Sequence, residues 1–143
     1  MNRNHVKVEM ATIPENVSLA RIITAGFLAS LDPTVEEISD IKTAVSEAVT
    51  NAIIHGYEER DGIVCMQLSS MEREIEIEIS DTGIGIENVE TVREPMFTTK
   101  PDLERSGLGF TVMETFMDSV EVSSKPGIGT TVIMTKKLGA SPQ

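Results

Sequence analysis

Thr34-Val35-Glu36-Glu37-Ile38-Ser39-Asp40-Ile41-Lys42-Thr43-Ala44-Val45-Ser46-Glu47-Ala48-Val49-Thr50-Asn51-Ala52-Ile53-Ile54-His55-Gly56 is the stretch on which the fold turns. Thr followed three residues later by Glu has the form of a capping box, so a long helix should begin at Thr34. Val35, Ile38, Ile41, Val45, Ala48, Val49 and Ala52 recur at helical spacing and predict one core-facing stripe that ends near Gly56. Glu47 and Asn51 are four residues apart and stack on one side of that helix, with His55 one turn further on. A carboxylate and a carboxamide beside an apolar stripe are costly without partners. Two readings stand open here: a polar helix edge with local hydrogen bonds, or a ligand site.

Working outward, Val6, Val8 and Met10 alternate with polar residues and predict a first strand. Pro14 and Asn16 open a helix on which Val17, Ala20, Ile23, Phe27, Leu28 and Leu31 follow helical spacing, and Asp32-Pro33 ends it. Ile63 to Leu68 reads as a strand. Ile75, Ile77 and Ile79 alternate with polar residues and predict a strand with one wet face. Asp81-Thr82-Gly83 breaks it. A short helix is expected over Asn88 to Arg93, then a polar, turn-rich segment from Glu94 to Gly109, then a helix from Phe110 to Met117. Strands Ser119 to Ser123 and Thr130 to Lys136 flank the turn Lys125-Pro126-Gly127-Ile128-Gly129. The sum is an α+β two-layer sandwich, a mostly antiparallel mixed sheet with helices on one face. Leu138 to Gln143 carry no signal.

The chain has 143 residues, the size of a single domain spanning 1–143, and is 40% hydrophobic, enough for one core. Its formal charge of −11 argues against direct contact with nucleic acid, which needs clustered cations. An acidic protein instead suits a partner with basic patches, although the same charge also serves solubility. Cys65, the single cysteine, lies in the apolar run Ile63-Val64-Cys65-Met66 and is expected to be a buried strand residue. One cysteine permits no disulfide within the chain, which fits a reducing, cytoplasmic setting. The first residues contain no signal peptide, and no window reaches the roughly 20 apolar residues of a membrane span.

Three further stretches carry chemistry. Asp81-Thr82-Gly83-Ile84-Gly85-Ile86 directly follows a strand. A carboxylate there can accept from an exocyclic amine, and Gly83 and Gly85 let backbone approach a flat ligand; an ordinary turn would read the same way. Ser106-Gly107-Leu108-Gly109 lies at the start of a helix whose N-terminal N–H groups attract phosphate oxygens, with Lys100 and Arg105 in the loop before it; by itself the stretch reads more simply as a mobile surface loop with scattered charges. Gly129-Thr130-Thr131 begins the last strand, where a hydroxyl could complete polar contacts to a base; by itself it is merely a strand start rich in Thr.

Taken together, these stretches resemble the N box, the two glycine boxes and the closing Thr motif of the GHKL ATPases, in that family's order. Leu31-Asp32-Pro33-Thr34, Lys42 through Tyr57, Pro95-Met96-Phe97-Thr98-Thr99-Lys100-Pro101 and Glu104-Arg105-Ser106-Gly107-Leu108-Gly109-Phe110 closely resemble one branch, the anti-sigma F factors of endospore-forming bacteria, which are serine-protein kinases. The similarity runs from about Val6 to Lys137.

The resemblance implies the GHKL (Bergerat) ATP-binding fold, ATP or ADP as ligand, and Mg²⁺ held by Asn51. It implies Glu47 as general base toward a substrate serine, Asp81 as acceptor from the adenine amino group with Thr130 nearby, and Gly83, Gly85, Ser106, Gly107 and Gly109 as backbone contacts to base and phosphates. Lys100 and Arg105 fall in the ATP lid, with Arg105 the better candidate for the γ-phosphate. His55 is read as structural or supporting. The implied partners are sigma factor F, held while ATP is bound, and an anti-anti-sigma factor phosphorylated on serine. A homodimer through the first strand and neighbouring sheet surface is implied too, with Arg21 as a partner contact. The first helix carries no His, which argues against a histidine kinase. The competing expectations are a non-catalytic, ATP-gated binding module and the related general-stress type of anti-sigma kinase.

Overall fold

The computed structural model describes residues 3–56, 62–81, 110–125 and 129–139. Strand β1 (Arg3–Ala11) leads into helix α1 (Glu15–Leu28), a 3₁₀ turn (Ala29–Leu31), helix α2 (Val35–Asn51) and a π-helical turn (Ala52–Gly56). Strands β2 (Ile63–Met71) and β3 (Glu74–Asp81) follow. A helical stretch over 110–116, here α3, precedes β4 (Ser119–Lys125) and β5 (Gly129–Lys137). The sheet order is β1-β2-β3-β5-β4. Every pairing among the described residues is antiparallel, so the expected mixed character is absent from them.

The capping box forms as the sequence implies. Glu37 N–H donates to Thr34 Oγ1 at 3.0 Å, and Thr34 N–H donates to Glu37 Oε1 at 2.8 Å. Asp32 takes a left-handed conformation (φ 47°) and turns the chain between the two helices, a geometry that Asp tolerates. The periodicity of α2 holds for Ile41, Val45, Ala48 and Val49, and Ala44 joins them in the core. Val35 departs from the expected stripe. It sits in the first turn and is 85% exposed, lining the surface depression beside Arg21 rather than the core.

One apolar core unites the inner faces of α1 and α2, Phe110, Met113 and Met117 around α3, and the inner face of the sheet. On that sheet face, Met66, Ile79 and Val132 stand in register, with Val122 beside Val132. Leu68, Ile77, Met134 and Val120 make the next row. The outer face is polar; Gln67 Nε2 donates there to Glu78 Oε2 at 2.8 Å. Cys65 alternates out of phase with buried Val64 and Met66, so it lies on this outer face, partly exposed, rather than in the core. An apolar run of four cannot by itself say which alternate residues face inward.

The segment after β5 also belongs to the core. Leu138 is 3% exposed. Arg73 in the β2–β3 turn clasps the Gly139 carbonyl through Nε and the Leu31 carbonyl through Nη1. Gly139 N–H in turn donates to Glu37 Oε2 at 2.9 Å. Glu37 therefore links the start of α2 to the end of the described chain.

Glu37 has a consequence for acid stability. The backbone N–H of Thr34 first, then that of Gly139, and the nearby Arg73 charge, hold its carboxyl below the ordinary 4.5. A carboxylate with a lowered folded pKa stabilises the protein fully above its unfolded pKa and loses that contribution as pH falls through the folded value. Urea midpoints should drop as pH is taken below about 4.5. Glu37→Gln should be less stable at pH 7 and show a shallower acid decline. An identical decline in the variant would show that other carboxylates set it.

Candidate functional site

At one end of the inner sheet face the apolar rows give way to polar side chains. Asp81, the last residue of β3, stands directly opposite Thr130 near the start of β5. Both face the helices and both are 9% exposed. Thr130 is in turn paired with Ser124 of β4, and their hydroxyl oxygens lie 2.9 Å apart. Asp81 and Thr130, picked from separate stretches of sequence, are therefore cross-strand neighbours.

Asn51 closes the last regular turn of α2 and is 8% exposed. Neither its amide oxygen nor its amide nitrogen has a hydrogen-bond partner among the described residues. Leaving such a group unmet in a folded interior costs about 1–3 kcal/mol. The apolar stripe fixes this position, since Ala48, Val49 and Ala52 beside it are buried. The helix then widens into the π turn Ala52–Gly56, a departure that recurs at functional sites. That turn packs on β3 and β5, the strands that carry Asp81 and Thr130. Glu47 lies one turn before Asn51 and is partly exposed. Thus a carboxylate reachable from solvent and an unmet amide share one helix, and the turn after it packs on the two strands that carry Asp81 and Thr130.

Asn51 Oδ1 is a neutral, hard oxygen, the donor type that Mg²⁺ accepts alongside water and phosphate. Among the described residues no three His, Cys, Asp or Glu side chains gather as metal ligands. Water and phosphate oxygens beside Asn51 would suit a metal that arrives with a nucleotide. Gly83, Gly85, Lys100, Arg105, Ser106, Gly107 and Gly109 lie outside the described residues, as do the expected 88–93 helix and the lid. The His55 side chain does too. No helix among the described residues is long and apolar enough to cross a membrane.

A second surface lies on the helical layer. Arg21 lines a depression of about 200 Å³ with Val35, Ile38, Ser39, Lys42 and Thr43. Ile22 next to it is 68% exposed, and Leu19 is exposed as well. The periodicity of α1 assigned its inner stripe, Ala20, Phe27 and Leu28, but left the outer apolar residues without a role.

The class of the domain follows from the whole chain: residues 10–136 match the model of the histidine kinase-like ATPase domain family. The chain is 57% identical over 136 residues to an anti-sigma F factor of Clostridium perfringens, covering 94% of this chain and 97% of that one. An anti-sigma F factor of Clostridium beijerinckii is 55% identical over 138 residues, covering 96% of each. The chain belongs to the anti-sigma F factor family, built on the histidine kinase-like ATPase domain. Two solved structures share the fold. The RsbU and RsbW domains of a Mycobacterium tuberculosis protein superpose with a TM-score of 0.69 at 17% identity, over 96% of this chain and 34% of that one. The catalytic domain of the histidine kinase ThkA does so with a TM-score of 0.60 at 16% identity, over 96% and 99%.

Proposed function

We propose that this chain is an ATP-dependent anti-sigma factor that binds and inhibits sporulation sigma factor F and phosphorylates a serine of its anti-anti-sigma factor. The observation that carries the reading is the pair of unmet amide atoms on buried Asn51, directly before the turn that packs on the strands of Asp81 and Thr130. Asp81 accepts from the adenine amino group, which guanine replaces with a carbonyl. Asn51 Oδ1 holds Mg²⁺, and the ion, when bound, neutralises phosphate charge during transfer. Glu47, one turn earlier and accessible, accepts the proton of the incoming serine hydroxyl. Gly83, Gly85, Ser106, Gly107 and Gly109 contact base and phosphates, and Lys100 and Arg105 meet the triphosphate from the lid.

The exposed surface around Arg21, Ile22, Val35 and Lys42 suits a protein partner, with two cations on an otherwise acidic molecule. A nucleotide switches partners only if each partner prefers one nucleotide state. A homodimer through β1 and the outer sheet surface completes the proposal.

The test is a pull-down of sigma factor F by the purified chain in ATP and in ADP, with Asp81→Asn alongside. Retention in ATP and release in ADP is expected. Asp81→Asn should weaken ATP binding by about ten- to a hundredfold, the worth of a mispaired buried carboxylate. Equal capture in both nucleotides would remove the switch, and unchanged affinity in Asp81→Asn would remove the base pocket.

A further inference from the structure

Ser124 is not among the residues that the sequence motifs single out, yet it completes the polar row. Its hydroxyl donates to the Gly129 carbonyl at 3.1 Å and lies 2.9 Å from Thr130 Oγ1. Gly129 has φ 143°, a conformation that L side chains rarely adopt, and this backbone bend brings its carbonyl to Ser124 at the entry to β5. A hydroxyl has one proton and two lone pairs. With the Ser124 proton committed to Gly129, the Thr130 hydroxyl must be the donor in the Ser124–Thr130 bond. Both of its lone pairs are then left as acceptors, on the row it shares with Asp81.

We propose that Ser124 is a positioning residue for base selection: it fixes the Thr130 hydroxyl as an acceptor, so that Asp81 and Thr130 together demand a donor from the base edge. An exocyclic amine, directly or through a water that it binds, supplies two protons for two acceptors. A base with a carbonyl at that position meets two acceptors with a third. Without Ser124 the Thr130 hydroxyl can rotate, donate to the carbonyl and accommodate the wrong base. The inference rests on the reading that Asp81 contacts the base, and it adds the group that sets the sense of the second contact.

The experiment measures ADP and inosine diphosphate affinities by calorimetry for wild type, Ser124→Ala, Ser124→Thr, Thr130→Val, the Ser124→Ala/Thr130→Val double variant and Asp81→Asn. Ser124→Ala should lower the ADP-over-inosine-diphosphate preference by about three- to tenfold, the worth of one hydrogen bond. Ser124→Thr keeps the hydroxyl and should restore the preference. In the Thr130→Val background, Ser124→Ala should change the preference by less than about twofold, because the group through which it acts is gone. An unchanged preference in Ser124→Ala, an equal loss for both nucleotides, or full additivity with Thr130→Val would overturn the proposal while Asp81→Asn still showed reduced selectivity. If Asp81→Asn left selectivity intact, the base pocket itself would be misplaced and the role of Ser124 would fall with it.

Discussion

Asn51→Ala is expected to abolish phosphoryl transfer without destabilising the nucleotide-free protein. The two effects separate because the amide gives the fold nothing among the described residues: both of its polar atoms are buried and unmet. Most buried polar side chains earn their place through an internal hydrogen bond, and removing one costs stability. Here removal relieves an unmet group worth about 1–3 kcal/mol and opens only a small void, so stability should stay level or rise. Transfer should fall by about a hundredfold or more, as when one preorganised group is lost from a charge-stabilising site. Urea unfolding of the nucleotide-free protein and a phosphorylation assay on the anti-anti-sigma factor read the two arms. A stability loss above about 2 kcal/mol would show that Asn51 is satisfied within the fold, and the ligand site would lose its main support.

Glu47→Gln should divide binding from chemistry. Gln preserves shape and an acceptor oxygen but cannot take up a proton at neutral pH. Because Glu47 is accessible on α2 rather than buried, the substitution should leave the core undisturbed. ATP affinity should stay within about threefold, while the rate of serine phosphorylation should drop by about 10²–10⁴, the usual worth of a positioned base. Sigma factor F should still be held in ATP, which makes the variant a locked inhibitor. Wild-type transfer in Glu47→Gln would take the base role from Glu47, and loss of ATP binding would move that residue into the nucleotide's own contacts.

Local chemistry made much of this molecule legible. The Thr34–Glu37 capping box and the alternation of Ile75, Ile77 and Ile79 depend on residues close in sequence, and both appear as expected. Asn51 and Asp81 were visible because a polar group next to an apolar pattern stands out. Features that depend on register were less legible. Whether Cys65 faces in or out follows from which strand it pairs with, and its run of apolar neighbours is silent on that. Val35 fits a helical stripe but lines the surface depression beside Arg21. Ser124 gains its meaning only from lying opposite Thr130, and Leu138 and Gly139 gain theirs from Arg73 and Glu37, distant in sequence. Leu138 carried no role in the sequence reading; a lone apolar residue directly after a strand is the only hint that could have found it.

The order of strands in the sheet bears on how the protein is made. Among the described residues β5 is the last strand to leave the ribosome, yet it lies between β3 and β4. While synthesis runs, at about 5–20 residues per second, β3 therefore waits with one side of its backbone unpaired. Ile75, Ile77 and Ile79 meanwhile lack the cover of Val132 and Met134. The interleaved Glu74, Glu76 and Glu78 place negative charge along that waiting edge, the kind of gatekeeper that keeps nascent chains from pairing with one another.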